Sequence, residues 1–165
     1  MGCVSAVMSS YTQEELDAEL AAFVPRLPMA VLMNGGIIKL EGLNGFFNPN
    51  CLLDPSWLKD KMTAEEFYQA IDLINKRSAY TQVGMSRIYW VTEKVNRDRL
   101  RTEAGMTAVQ EINRRNPSVR FTYHETLENM QMSLAWSNDP ALRLATKNTI
   151  AIGNGTVTIL YIRVN

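Results

Sequence analysis

The sequence begins Met1-Gly2-Cys3-Val4-Ser5-Ala6, a short motif that two acylating enzymes could modify. Removal of Met1 exposes Gly2 for N-myristoylation, and Cys3 beside it is the usual position for a second, thioester-linked acyl chain. One myristoyl chain binds a bilayer only marginally, and a second chain makes the attachment durable. The common motif has Ser or Thr at position six, where this sequence has Ala6. Two readings stay open, a terminus acylated at Gly2 and Cys3 or an unmodified terminus that begins Met-Gly.

Cys51 and His124 are the second pair of residues whose types could carry chemistry. A cysteine nucleophile needs a nearby imidazole that lowers the pKa of its thiol, so the two would act as nucleophile and base if the fold brought them together. Their spacing does not require that they meet. Cys51 precedes Leu52-Leu53, which is typical of a small buried apolar side chain, and His124 stands beside Glu125 on a predicted strand. We therefore predict no catalytic residues and no enzymatic activity.

Patterns that hold metals and phosphates are also missing from the sequence. Two cysteines and one histidine do not make a closed zinc site, and no metal-like spacing is present. The runs Asn34-Gly35-Gly36 and Gly153-Asn154-Gly155 lie between predicted strands, whereas a phosphate cradle precedes a helix. We expect no metal and no cofactor. We also expect no nucleic-acid partner, because the formal net charge is zero and no RNA-binding motif is present.

The stretch that must position any binding residues is 40–75, which has the strongest local signals in the chain. It begins in the second arm of a predicted hairpin, whose apolar runs at 30–33 and 37–41 flank the Asn-Gly-Gly turn. It ends in a predicted helix that opens at Thr63, where Glu66 completes a capping box. That helix places four apolar residues on one stripe: Phe67, Ala70, Ile71 and Ile74.

The bent loop between hairpin and helix is rich in aromatic residues. Phe46, Phe47 and Trp57 have two readings, a surface that binds a partner or side chains that fill the edge of the core. Both readings follow from the same pattern.

The remaining helices are predicted from caps and stripes. Thr12 with Glu15 is a second capping box, and Pro25 ends the helix that it opens. The buried stripe of this helix is expected to be Leu16, Leu20, Phe23 and Val24. Residues 83–116 are predicted to be helical, with a break or bend at Gly105 and a stop before Pro117. Two apolar stripes lie on either side of the break, one of Ile88, Val91 and Val95 and the other of Met106, Val109 and Ile112.

The last third of the chain predicts strands. Apolar residues alternate over 119–123 and 130–136, and 148–152 with 156–164 form a second hairpin around Gly153-Asn154-Gly155. The final strand is apolar on both faces, which predicts a central place in the sheet. The fold class predicted is α+β, a single domain with a mostly antiparallel sheet and two hairpins packed against several helices.

The amino-acid composition indicates a globular domain without a disulfide scaffold or a membrane-spanning segment. The 165 residues are 46% hydrophobic and 21% charged, which is typical of a globular domain. Two cysteines and no secretory leader predict a reducing, cytosolic setting without a disulfide scaffold. No apolar run approaches the roughly 20 residues that span a bilayer. Residues 87–120 hold eight Lys and Arg against four Asp and Glu, so this middle segment is either a basic surface for an acidic partner or a solvated helix of mixed charge.

The hairpin and the block after it resemble a known family. The residues that carry the resemblance are Gly42-Leu43, Phe46, Pro55, Leu58, Lys61, Thr63-Ala64-Glu65-Glu66-Phe67, Ile71 and Asn75. In order and type they are similar to the shared block of the family that holds the yeast Erf-four protein, the small golgin of subfamily A, member seven, and the CHIC proteins. The similar block covers roughly a third of the chain. Relatives have a cysteine-rich or strongly hydrophobic middle segment, whereas this chain has a polar one with Arg97, Arg99 and Arg101.

This resemblance implies a function without catalysis. The family contains small proteins of the cytoplasmic membrane face, some of them accessory subunits of DHHC-type palmitoyltransferases. It implies residues 11–165 as one domain of this kind, behind a flexible, acylatable N-terminus at 1–10. The implied partner is an integral-membrane palmitoyltransferase at the Golgi, endoplasmic reticulum or plasma membrane, met through Phe46, Phe47 and Trp57, with acyl chains on Gly2 and Cys3 as the membrane anchor. The alternative is a structural subunit of a larger cytoplasmic or organellar assembly with no link to acylation.

Overall fold

The computed structural model describes residues 12–81, 83, 94–129 and 156–165. Its α-helices are α1 (Gln13–Phe23), α2 (Ala64–Tyr80) and α3 (Lys94–Arg115). Its strands are β1 (Val31–Leu32), β2 (Ile37–Leu43), β3 (Val119–Asn129) and β4 (Thr156–Val164). Two short 3₁₀ helices lie at Val24–Arg26 and Pro55–Leu58.

Both predicted capping boxes are confirmed. The N–H of Glu15 donates to the hydroxyl of Thr12 at 3.2 Å, and the N–H of Thr12 donates to the Glu15 carboxylate at 3.1 Å. Thr63 and Glu66 make the same exchange at 3.1 and 2.8 Å before α2. Each box satisfies backbone donors that a helix start leaves unpaired, which is why these two helices begin where the sequence predicts.

The first predicted hairpin is confirmed with its turn at Asn34-Gly35-Gly36. Gly35 and Gly36 have φ angles of 88° and 77°, a left-handed conformation that glycine adopts without steric cost. The N–H of Met33 donates to the Ile37 carbonyl at 2.7 Å, and this bond closes the turn. The turn therefore sets the register in which Leu32 pairs with Ile38.

The four strands form one antiparallel sheet in the order β1-β2-β4-β3. The last strand of the chain, β4, thus lies between β2 and β3, which confirms its predicted central place. Helices α2 and α3 pack on one face of the sheet, called here the inner face, and bury its side chains. The observed arrangement is a single-domain α+β fold, as the sequence predicts.

The core lies between the inner face and the two helices. Phe67, Ile71 and Ile74 from α2 are wholly buried against Ile38 and Leu40 of β2. The rest of this cluster includes Ala108, Val109 and Ile112 of α3, Val119 and Phe121 of β3, and Leu160 and Ile162 of β4. Each large apolar side chain buried in this way stabilises the fold by about 1.5–3 kcal/mol. The predicted stripe of α2 is thus confirmed in full.

The predicted break at Gly105 is wrong, because α3 runs unbroken from Lys94 to Arg115. Gly105 instead lets the ring of Tyr123 approach the helix, since a Cβ on Gly105 would lie 2.7 Å from Tyr123 Cε2. Met106 was predicted to be buried but is 47% exposed, and Ala108 fills the core beside Val109. The end of α3 before Pro117 is confirmed.

Several predicted features lie outside the described residues. They are Gly2, Cys3, Ile88, Val91, the strands at 130–136 and 148–152, the turn at 153–155, and the side chains of Phe23 and Val95. Of the stripe predicted for α1, Leu16 and Val24 are buried and Leu20 is half-buried.

Candidate functional site

Asn75 fixes the aromatic loop to helix α2. Its wholly buried side chain accepts a hydrogen bond from the N–H of Phe47 at 2.8 Å and donates one to the carbonyl of Phe47 at 2.7 Å. The amide thus pairs with the backbone of one loop residue as a neighbouring strand would. Residues 40–75 therefore form a preformed frame, in which β2, the loop and α2 hold fixed relative positions.

All three aromatic residues predicted to bind a partner are used in packing. Phe47 is wholly buried in the main core, so its side chain does not reach a partner, and that part of the prediction is wrong. Phe46 is half-buried against a second small cluster of Val24, Leu27 and Leu43. Trp57 is half-buried against the main core. Because the bent loop closes the end of the helix–sheet layer, its aromatic rings are drawn into that end.

A different set of apolar side chains is exposed on the same frame. Val31 and Leu53 are 59% and 62% exposed, and the set is completed by Met29, Leu32 and Met33. The N–H of Ala30 donates to the carbonyl of Cys51 at 3.0 Å, which brings strand β1 next to the segment that bears Leu53. We call this group (Met29, Val31, Leu32, Met33 and Leu53) the hairpin surface. Sequence reasoning missed it, although two consecutive apolar residues in so short an edge strand are a signal that one side chain must face solvent.

Backbone strain accompanies the loop beside the hairpin surface. Lys59 and Asp60 have φ angles of 51° and 56°, a left-handed conformation that costs roughly 1–2 kcal/mol for a residue with a Cβ. The N–H of Lys59 donates to the Ser56 carbonyl at 3.0 Å, and the N–H of Lys61 donates to the Leu58 carbonyl at 2.9 Å. These bonds hold the loop that carries Trp57 in one shape. Strain that the surrounding structure enforces is typical of segments that present a binding surface.

Cys51 and His124 do not form a nucleophile–base pair. Cys51 is wholly buried in the core, and burial raises the pKa of its thiol to about 12, so the thiol is neutral at physiological pH. His124 is exposed on the outer face of the sheet, where it pairs with Ile159 across the strands. No group of three or more His, Cys, Asp and Glu side chains is arranged to hold a metal within the described part of the chain.

A polar cluster joins α3 to β3 and was not predicted. The guanidinium of Arg101, almost fully buried, donates to the Asp98 carboxylate at 2.6 Å. The hydroxyl of Thr102 donates to the Glu125 carboxylate. Burial raises the pKa of Tyr123, whose ring lies between these pairs and Gly105. The cluster fixes the position of α3 over β3, and the half-buried Asp98 carboxylate offsets part of the cost of burying the Arg101 guanidinium.

Most of the other described charges of α3 are paired on its solvent side, with Arg114 as the exception. Arg99 pairs with Glu103 at 2.9 Å, and Glu111 pairs with both Arg77 and Arg115. Of the two readings of the middle segment, this arrangement fits a solvated helix of mixed charge. No helix within 12–81 or 94–129 has the length and apolar character needed to cross a bilayer.

Comparisons of the chain with models of known families, with curated proteins and with solved structures found no match. The family resemblance of residues 40–75 therefore stays a prediction.

Proposed function

We propose that the chain is a non-catalytic accessory or scaffold subunit that docks onto a protein partner at the cytoplasmic face of a membrane. The observation that carries this proposal is the hairpin surface, five exposed apolar side chains on one end of the sheet. Exposed apolar side chains grouped on one part of a fold mark places where another molecule binds.

The frame beneath the hairpin surface supports a docking role. The Asn75 amide, the turn at Gly35-Gly36 and the bonds that hold Lys59 and Lys61 fix the backbone in advance of binding. A preorganised surface loses less conformational entropy on association than a flexible one. More of the free energy gained by burying Val31 and Leu53 therefore contributes to the affinity.

The resemblance suggests the class of partner. It favours an integral-membrane palmitoyltransferase of the DHHC type, at the Golgi, endoplasmic reticulum or plasma membrane. Acyl chains on Gly2 and Cys3 would then hold the subunit beside that enzyme, since two chains anchor a protein where one does not.

Co-purification of the tagged full chain with such an enzyme tests the proposal. We expect the double variant Val31→Glu, Leu32→Glu to recover at least about tenfold less enzyme, because two apolar anchors become charged at the interface. The matched control is Val83→Glu, Met106→Glu, which changes two side chains of similar exposure outside the hairpin surface. Full recovery with the hairpin variant, or equal loss with the control, would contradict the proposal.

The alternative is a structural subunit of a larger cytoplasmic or organellar assembly with no link to acylation. The polar exterior of α3 favours this alternative, because the exposed side chains of Arg99 and Glu103 pair with each other rather than forming an apolar surface for a membrane. Loss of a large complex in the same hairpin variant, together with an unacylated intact mass and no palmitoyltransferase in the purified material, would support this alternative.

A further inference from the structure

The outer face of the sheet, opposite α2 and α3, carries a row of side chains set by strand register. Arg163 of β4 lies directly opposite Ile37 on one side and Arg120 on the other. In the next row on the same face, Tyr161 lies between Lys39 and Thr122. These side chains point away from the core because the residues that alternate with them are buried on the inner face.

Arg120 and Arg163 lie directly opposite each other on neighbouring strands. Both are exposed, and neither guanidinium has a hydrogen bond or ion pair with the residues that the structure describes. Among the other described arginines, Arg26 and Arg114 also lack a carboxylate partner, and four pair with carboxylates: Arg77, Arg99, Arg101 and Arg115. Residues directly opposite in an antiparallel pair have Cβ atoms about 4.5–5.5 Å apart, and like charges there destabilise the sheet. Within the described residues, two cations without a partner thus lie side by side at a cost to stability.

Apolar side chains continue the arginine row toward the hairpin. Ile37 is half-buried next to Arg163, and the hydrogen bond from Met33 to Ile37 extends the row to the exposed Met33. On the far side, an open groove of about 470 Å³ between the end of α3 and the start of β3 is lined by Arg120 and Arg114. The outer face therefore offers cations flanked by apolar contacts, and Arg120 also lines a groove at the β3 edge of the sheet.

We propose that this outer-face row binds an acidic peptide segment of a protein partner. Carboxylates of the segment pair with the guanidinium forks of Arg120 and Arg163, and its apolar side chains pack on Ile37 and Met33. Charge complementarity carries the assignment, because arginine forks match carboxylates bidentately and these two have no carboxylate of their own in the described structure. The proposal goes beyond the docking function above, since it does not require the partner to be a membrane enzyme.

The number and kind of cations favour a peptide over an anionic bilayer. Anionic lipid surfaces are held by clusters of about four to eight basic residues. Here Lys39 is paired with Glu41 at 2.6 Å, which leaves the two arginines as the charges of the row. Two cations hold a bilayer weakly, but their charge-assisted hydrogen bonds suit one or two carboxylates of a peptide.

The test measures fluorescence anisotropy of a labelled synthetic peptide in which glutamates alternate with leucines between glycine spacers, with the Gln-for-Glu peptide as a second probe. The protein is the full chain in three forms: wild type, Arg120→Gln with Arg163→Gln, and Arg26→Gln with Lys61→Gln. The last variant removes two exposed cations that lie away from the row and leaves the net charge equal to that of the row variant.

We expect the wild type to bind the glutamate peptide at least about tenfold more tightly than the glutamine peptide. The row variant is expected to lose this preference at least about tenfold, with an unchanged or higher melting temperature because the like-charge pair is gone. The control variant is expected to bind as the wild type does. Equal binding by the row variant, absence of binding by the wild type, or binding only to vesicles of phosphatidylserine and phosphatidylcholine would each overturn the proposal.

Discussion

At the scale of single residues, two asparagine side chains hold segments of the fold together by hydrogen bonds to the backbone. Asn75 of α2 and Asn113 of α3 each accept from the N–H and donate to the carbonyl of one phenylalanine, Phe47 and Phe121 respectively. The first bond pair anchors the aromatic loop. The second covers backbone groups of β3 that point away from β4, as an added strand would.

The two asparagines differ in burial, so we expect their substitution by alanine to destabilise the fold by different amounts. Asn75→Ala leaves the N–H and carbonyl of Phe47 unpaired where water does not reach, so we expect a loss of about 3 kcal/mol in the free energy of unfolding. Asn113→Ala removes the same two bonds at a half-buried position, where water replaces them, and we expect a loss of about 1 kcal/mol. Urea denaturation of both variants measures the two losses. Equal losses would show that burial of the Asn75 amide is not what makes it matter.

At the scale of elements, α3 is placed by steric fit to β3 as much as by its apolar stripe. Gly105 sits where the Tyr123 ring meets the helix, and Arg101 with Thr102 flanks the contact one turn earlier. A glycine inside a helix normally costs about 1 kcal/mol relative to alanine. Here that cost is offset by the close packing of helix and strand that the missing Cβ allows.

The contact between Gly105 and Tyr123 predicts the sign of a substitution. Gly105→Ala gains helix propensity but places a Cβ 2.7 Å from the Tyr123 ring, so we expect a net loss of about 1–3 kcal/mol in stability. In a Tyr123→Leu background, which removes the ring, the same substitution is expected to be neutral or stabilising. Thermal denaturation of the two single variants and the double variant gives the coupling between the residues. Additive effects would mean that the ring does not limit the approach of α3.

At the scale of the whole molecule, the features that sequence alone predicted are those set by neighbours in the chain. The capping boxes at Thr12 and Thr63 and the Gly35-Gly36 turn depend on residues within four positions, and each was confirmed. The central place of β4 followed from its apolar residues on both faces, which only an interior strand can bury.

What the sequence did not predict depends on contacts between distant segments. The Tyr123 ring gives Gly105 its role, and Asn75 selects the backbone of Phe47 across 28 positions in the chain. The pairing of Arg120 with Arg163 becomes visible only once the register of β3 and β4 is known. The aromatic loop kept two readings, partner binding or core packing, for the same reason, since a local pattern does not tell which side of a ring the rest of the fold covers.

The two faces of the sheet give the molecule a sided organisation. The inner face packs against α2 and α3 and forms the core. The outer face and the hairpin surface expose Val31, Met33, Arg120 and Arg163. Such an arrangement leaves the arginines that we propose for binding on the side of the sheet opposite α2 and α3. An anchor at the N-terminus would then fix the distance of these groups from a membrane without itself contributing to specificity.

That anchor is the last prediction. We expect the intact mass of the chain expressed in eukaryotic cells to include one amide-linked and one thioester-linked acyl chain, the second removable by hydroxylamine. Cys3→Ser is expected to keep the first chain and to bind membranes only weakly, because a single myristoyl chain gives an affinity of only about 10⁴ M⁻¹. Gly2→Ala is expected to lose the amide-linked chain and to move the protein to the soluble fraction. An unmodified mass together with an unchanged membrane fraction of the Gly2→Ala variant would show that the hairpin surface and the outer face, rather than acyl chains, bring the protein to its partner.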